Sequence, residues 1–240
     1  MIQDNEIKQK GPLSAMVRHS EPRHILTKKE FSRQALFVAS LLTILFFGSG
    51  PGPVQAQTWI RVASVADGDS ISLSNGERVR YLGINAPERG EPGKAEFLAQ
   101  EAFQFNRNLV LGKEIRVEFE GEKRDRFNRE LAYVYLQDGT WVNRELVKEG
   151  YAHVLYQSPG LEKFEEFLSA QQEAIRGKRG IWQKALQETE PGYRGQGKSR
   201  KFHRLDCAYG RRISAKNQVI FTTKKEAYWL GFSPCRSCRP

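Results

Sequence analysis

Two acidic residues flank a glycine in Asp67-Gly68-Asp69, between two short apolar segments. Arg80 follows in a run whose period-two neighbours are Leu82 and Ile84, an expensive position for a charge without a partner. Asn85-Ala86-Pro87-Glu88 comes next, with Pro87 stiffening the loop that carries Glu88. Asp125-Arg126-Phe127-Asn128-Arg129 occupies a later turn. Together these residue types suit attack on a phosphodiester. A hard cation takes oxygen ligands such as Asp69 and backbone carbonyls, polarises a phosphoryl oxygen and helps deprotonate water. Glu88 is the candidate general base. Arg80 and Arg129 can grip phosphoryl oxygens with planar forks that lysine lacks. Asp-Gly turns are commonplace and surface arginines are usually just solvated, so it is the order and spacing that single these residues out.

A second constellation lies near the carboxy terminus, where all three cysteines fall. His203-x3-Cys207 precedes Cys235-x2-Cys238 by a gap of 27 residues, which contains a strand-like run at 218–222 and a helix-like run at 224–230. Two ligand pairs in turns, bridged by a short strand and helix, suit a tetrahedral Cys3His zinc site. Disulfide bonding is the alternative in an exported protein, although an odd number of cysteines leaves one thiol over.

The elements that must position these groups follow from periodicity. Runs at 59–65, 70–73 and 78–84 read as strands separated by Asp67-Gly68-Asp69 and Ser74-Asn75-Gly76 turns, an antiparallel meander. From Ala95 the period changes: Leu98, Ala102, Phe105 and Leu109 line one face of a helix that stops at Gly112. Strands are predicted at 115–119 and 131–136, a short helix at 141–148, and a last amphipathic helix marked by Leu161, Phe164, Leu168 and Ile175. This order predicts an α+β fold, a five-stranded β-barrel of OB type with helices packed on it, plus a small zinc-binding domain at the carboxy terminus.

The motifs Asp67-Gly68-Asp69-Ser70, Arg80-x4-Asn85-Ala86-Pro87-Glu88 and Asp125-x3-Arg129-x-Leu131-Ala132-Tyr133 resemble the staphylococcal nuclease (thermonuclease) family in order and separation. The similarity continues through Val142-Asn143-x2-Leu146-Val147-x2-Gly150 to about Ile181-Trp182, some 125 residues. It implies an OB-fold, calcium-dependent cleavage of DNA and RNA and 3′-phosphate ends. It also implies Asp69, Asn85 and the carbonyl of Ala86 as calcium ligands, Glu88 as the base, and Arg80 and Arg129 as transition-state stabilisers. Phe127 and Tyr156 fall where the family places tyrosines near the nucleotide. Asn85 departs from the family's best-known member, which has a calcium-binding aspartate there, so weaker calcium binding or an altered metal preference is expected. The carboxy-terminal layout resembles the Ada-type metal-binding domain with His203 in place of its first cysteine. That cysteine is the methyl acceptor, so methyl transfer is not implied.

At 28% charged residues and a negative mean hydropathy, the 240-residue chain is no polytopic membrane protein. Its formal charge of +10 is unevenly spread: residues 57–184 carry a net −1 and residues 185–240 a net +8. A basic appendage on a near-neutral body points to DNA or RNA as partner, bound through phosphates, and no obligate protein partner is implied. The apolar run at 35–47 is shorter than the ~20 residues of a membrane-spanning helix. Lys28, Lys29 and Arg33 precede it, and Pro51, Pro53 and Val54-Gln55-Ala56 follow, as in a secretory signal cleaved after Ala56. An uncleaved membrane anchor is the alternative, and Met16 is a possible true start.

Residues 1–56 are thus set apart as signal or anchor, 57–184 as the barrel domain, 185–198 as a Pro- and Gly-rich linker, and 199–240 as the basic zinc module. The expected protein is an exported, secreted or periplasmic, calcium-dependent endonuclease. A catalytically inactive nucleic-acid-binding scaffold and a membrane-tethered DNA-uptake or processing factor are the alternatives.

Overall fold

The computed structural model describes residues 58–91, 93–157 and 160–240. The apolar run and cleavage motif expected to form a signal or anchor lie outside the described residues. Among the described residues, no helix is long and apolar enough to cross a membrane.

The three predicted amino-terminal strands form as β1 (Ile60–Asp67), β2 (Ser70–Leu73) and β3 (Arg78–Tyr81), paired antiparallel in sequence order. β4 (Ile84–Asn85) is separate, and helix α1 (Ala99–Val110) follows it. Next come β5 (Glu114–Arg124) and β6 (Glu130–Leu136). β3 pairs in parallel with β6, β6 antiparallel with β5, and β5 returns to β1, so five strands close a barrel in the order β1-β2-β3-β6-β5. Closure removes exposed sheet edges. Val62, Ile71, Val79, Ile115 and Val134 fill the core, each no more than 1% exposed. Helices α2 (Val142–Lys148) and α3 (Phe164–Arg176) pack on it through Leu146 and Phe167, with β7 (His153–Val154) between them in sequence.

The run 78–84 is not one strand. It breaks at Gly83, which adopts φ +80° and where a Cβ atom would lie 2.5 Å from the Phe167 ring. The break carries β4 off the barrel to pair with β7, Ile84 opposite Val154 and Asn85 opposite His153. Helix α1 begins later than Ala95, because Leu98 takes a left-handed conformation at its amino-terminal cap. Residues before it close the loop of Glu88: the Glu88 N–H donates to Glu96 Oε2 at 3.0 Å and the Glu96 N–H donates to the Glu88 carbonyl at 3.0 Å.

The segment 185–198 is not a free linker. Tyr193–Gln196 is a strand, β8, in a second sheet with β9 (Lys201–Arg204), β10 (Gln218–Phe221) and β11 (Ser233–Pro234), ordered β10-β8-β9-β11. Gly195 looks like a flexible residue in sequence. Here it admits the Phe221 and Phe232 rings, which a Cβ atom would meet at 2.6 and 2.9 Å. Two short helices complete the module, α4 (Ala208–Arg211) and α5 (Lys224–Trp229), the latter started by a Thr223–Glu226 capping box. Ala174, Ile175, Ile181 and Trp182 share one apolar cluster with Tyr193, Phe202, Phe221 and Tyr228, so the second sheet is packed directly on the end of the barrel domain. Gln171, fully buried, accepts from the Val154 N–H at 2.7 Å and donates to the Tyr228 carbonyl at 2.5 Å, joining the two parts.

Candidate active site

Asp69 stands at the tight β1–β2 turn, 5% exposed. Its Oδ1 accepts from the Ser70 hydroxyl at 3.0 Å, and its Oδ2 accepts from the Ala86 N–H at 2.8 Å. The same oxygen pairs with Arg80 Nη2 at 2.9 Å, across the register that sets Ser70 opposite Arg80. Arg80 is itself buried and donates to the carbonyls of Tyr81 at 2.9 Å and Ile84 at 3.0 Å and to Asn85 Oδ1 at 3.1 Å. These bonds answer why a charge sits in an apolar strand: the Gly83 break turns carbonyls toward it.

Arg129 approaches from the β5–β6 turn. Asp125 clamps it, with Oδ2 at 2.9 Å from Nε and 2.7 Å from Nη2, while Asp125 Oδ1 accepts from the Phe127 and Arg129 N–H groups. Its remaining nitrogen, Nη1, reaches the Ser70 hydroxyl at 3.4 Å. Arg129, Ser70, Asp69, Arg80 and Asn85 therefore form one continuous polar chain, assembled from four separate stretches of sequence. Asn85 Nδ2 donates to the Ala86 carbonyl at 3.2 Å, and its Oδ1 accepts not only from Arg80 but from Arg236 Nη2, at 3.3 Å.

Glu88 is exposed at the mouth of this cluster. Packing around it pushes its carboxyl above the usual carboxylate range, and the charges of Asp69 and Asp67 push it further, against the pull of Arg80. Asp67 is raised as well, by burial and by Asp69, although the Gly68 N–H and Arg89 oppose this. Three carboxylates thus repel one another, offset in part by Arg80 on Asp69 and Arg89 on Asp67, and a divalent cation would offset the remainder. Asp69 and the Ala86 carbonyl, with Glu88 beside them, are oxygen donors of the kind calcium takes. The oxygen of Asn85 is committed to two guanidinium groups.

The two aromatic residues differ in their relation to this chain of contacts. Phe127 is 56% exposed with the Arg129 guanidinium 5.5 Å from its ring. Tyr156 meets the edge of Phe164, and Arg200 lies 5.2 Å over its ring.

At the other constellation, one ligand atom from each of His203, Cys207, Cys235 and Cys238 falls within 4.8 Å of all the others. All three thiols are free. The strand β9 supplies His203, the start of α4 supplies Cys207, and the turn after β11 supplies the remaining pair, anchored by a 2.9 Å bond from the Cys235 N–H to the Phe202 carbonyl. A tetrahedron around zinc with bonds of about 2.3 Å has edges a little under 4 Å, so this donor set fits.

The family model described as staphylococcal nuclease homologue matches residues 78–184. A thermonuclease of Staphylococcus hyicus is 30% identical over 141 residues, 57% of this chain and 82% of the relative. The chain belongs to the staphylococcal nuclease family. Two Bacillus subtilis (strain 168) proteins, the SPbeta prophage-derived endonuclease YokF and the endonuclease YncB, are each 37% identical over 135 residues, 54% of this chain. The matches span 45% of YokF and 64% of YncB, less than two thirds of either. For a member of this family the sequence motifs pointed to Asp69, Arg80, Glu88 and Arg129. Arg236 carries no such signal, since it meets Asn85 from 151 residues away.

Proposed function

We propose that the chain is a calcium-dependent nuclease that hydrolyses phosphodiester bonds of DNA or RNA internally, and that it is exported. The observation that carries the nuclease reading is the continuous polar chain from Arg129 through Ser70 and Asp69 to Arg80, with the Glu88 carboxylate close enough to feel the Asp69 and Arg80 charges. Asp69 and the Ala86 carbonyl would hold calcium, with Asn85 orienting that carbonyl. Bound there, the ion supplies Lewis-acid polarisation of a phosphoryl oxygen and a lower pKa for water.

The chain's own residues divide the remaining work. Glu88 accepts the proton of the attacking water. Arg80, locked by two carbonyls and a carboxylate, offers a preorganised positive charge to the developing oxyanion. Arg129 adds a second guanidinium from the β5–β6 turn, its Nε and Nη2 clamped by Asp125 and its Nη1 directed at the Ser70 hydroxyl. Phe127, exposed beside Arg129, offers a stacking surface for a base, and Tyr156 a second aromatic contact farther along the strand. His203, Cys207, Cys235 and Cys238 hold a structural zinc ion that stabilises the small carboxy-terminal module. Its exposed Arg211, Arg212, Lys216 and Lys225 give salt-sensitive affinity for phosphates. Export rests on the cationic, apolar and small-residue pattern that ends at Ala56.

The test is incubation of the purified chain with plasmid DNA and with structured RNA, in calcium and in chelator. Degradation in calcium alone is expected. Binding of both nucleic acids without cleavage under any divalent ion would favour the inactive-scaffold reading.

A further inference from the structure

Beside the Asp69 cluster lies a cavity of about 420 Å³, walled on one side by the barrel domain and on the other by the carboxy-terminal module. That volume is within the range of small-molecule sites. Glu88 and Asn85 border it, so it opens onto the candidate active site. Lys184, Lys201, Arg236 and Arg239 also line it, and none of the four forms an ion pair among the described residues. Glu96, whose carboxylate accepts from the Glu88 N–H, lines it as well. Four basic side chains against the two carboxylates of Glu88 and Glu96 leave the lining with a surplus of positive charge. Arg236 is the member nearest the chemistry. It sits between Cys235 and Cys238, and its Nη2 shares the Asn85 oxygen with Arg80, at 3.3 and 3.1 Å.

We propose that this cavity is a nucleotide subsite built jointly by the two parts of the molecule, in which Arg236 and Lys201 take the phosphate next to the scissile one. It rests on the reading that Arg80 and Arg129 hold the scissile phosphate. Because Arg80 and Arg236 converge on one amide oxygen, consecutive phosphates of a strand are the anions that fit their placement. Phe97, with Lys184 Nζ 5.4 Å over its ring, and Leu155 give the attached base an apolar wall. In this arrangement the carboxy-terminal module contributes to the active site itself, through a turn held by the cysteine pair.

The experiment uses the full chain carrying Glu88→Gln, in chelator so that the strand stays intact, and a fluorescent eight-nucleotide single strand read by anisotropy. Adding Arg236→Gln is expected to raise Kd about fivefold to tenfold, the loss of a charge-assisted phosphate contact. Adding Lys198→Gln, an exposed charge between β8 and β9 of the same module, is expected to raise it twofold or less. Equal effects of the two variants would overturn the subsite. If Arg236→Gln disturbs the metal cluster, Lys184→Gln decides instead, since it lines the cavity from the barrel side. An increase of at least twofold supports the subsite, and no change overturns it. Equal effects on strands with and without a terminal phosphate assign the site to an internal phosphodiester, whereas an effect confined to terminally phosphorylated strands overturns that placement. In the chain that retains Glu88, Arg236→Gln should raise KM by a similar factor with kcat within about twofold. Absence of any cleavage by the unaltered chain would defeat the nuclease reading, while the Kd comparison would still report on the cavity.

Discussion

Arg80 and Arg129 differ in what surrounds them, and so the same substitution does different things at each. Arg80 is buried and shares Asp69 Oδ2 with the Ala86 N–H, so its removal strands a buried carboxylate. Replacement by methionine should cost about 3–5 kcal/mol of unfolding free energy, measurable by urea denaturation, and confound any activity assay. Arg129 is partly exposed, held by Asp125 and the Ser70 hydroxyl beside the Phe127 ring. Arg129→Gln should leave stability within about 1 kcal/mol and lower kcat by about a hundredfold or more, a split that isolates its role toward substrate. At Asn85, an aspartate would restore a carboxylate beside the Ala86 carbonyl. Calcium titration of activity should then give a tighter apparent constant for Asn85→Asp than for the unaltered chain; equal constants would show that this position does not weaken the site. Asp69, Arg80, Glu88 and Arg129 were legible because carboxylates and arginines at strand ends have no propensity reason to be there. Arg236 was not, because nothing local distinguishes it from the other basic residues of its module.

At the scale of elements, the decisive feature is the interruption after β3. Periodicity read 78–84 as one strand, since Val79, Tyr81 and Leu82 to Ile84 are all apolar. Tertiary packing against Phe167 breaks it at Gly83 and sends Asn85 to pair with His153. A two-residue strand such as β7 has no periodicity to detect, so this pairing lay beyond the sequence. It also places His153 where burial, with Lys201 and Arg80 nearby, lowers its pKa to about 4 despite the Val154 carbonyl. Unfolded, the imidazole returns to about 6.5, so between those values the unfolded chain binds the extra proton. Stability should therefore fall as pH drops from about 6.5 toward 4. Thermal melts across that range should show a shallower decline for His153→Gln; parallel declines would mean that other groups control the acid limb. The buried bridge of Gln171 gives a further check. Gln171→Leu leaves the Val154 N–H and Tyr228 carbonyl without partners and should cost about 2–5 kcal/mol by urea denaturation.

On the scale of the whole molecule, the barrel was legible from its turns and alternation, whereas the joint between its two parts was not. Pro191, Gly192, Gly195 and Gly197 read as a linker, yet Tyr193–Gln196 is a central strand, because Gly195 admits the aromatic rings of Phe221 from β10 and Phe232 from the loop before β11. The shared cluster around Trp182 and Tyr228 means that truncation after Lys184 would expose core, so point variants test the module better than deletion. Loss of metal from the Cys3His cluster should lower the melting temperature and, by loosening the turn that holds Arg236, raise KM; elemental analysis should find one zinc ion per chain. The proposed chemistry places a single scissile phosphate between Arg80 and Arg129 with Glu88 as base. Its most direct test is single-turnover cleavage of labelled DNA by the full chain at saturating calcium, with and without Glu88→Gln. The predicted result is a rate lowered by about 10²–10⁴ with the DNA dissociation constant within twofold; an unchanged rate would contradict it.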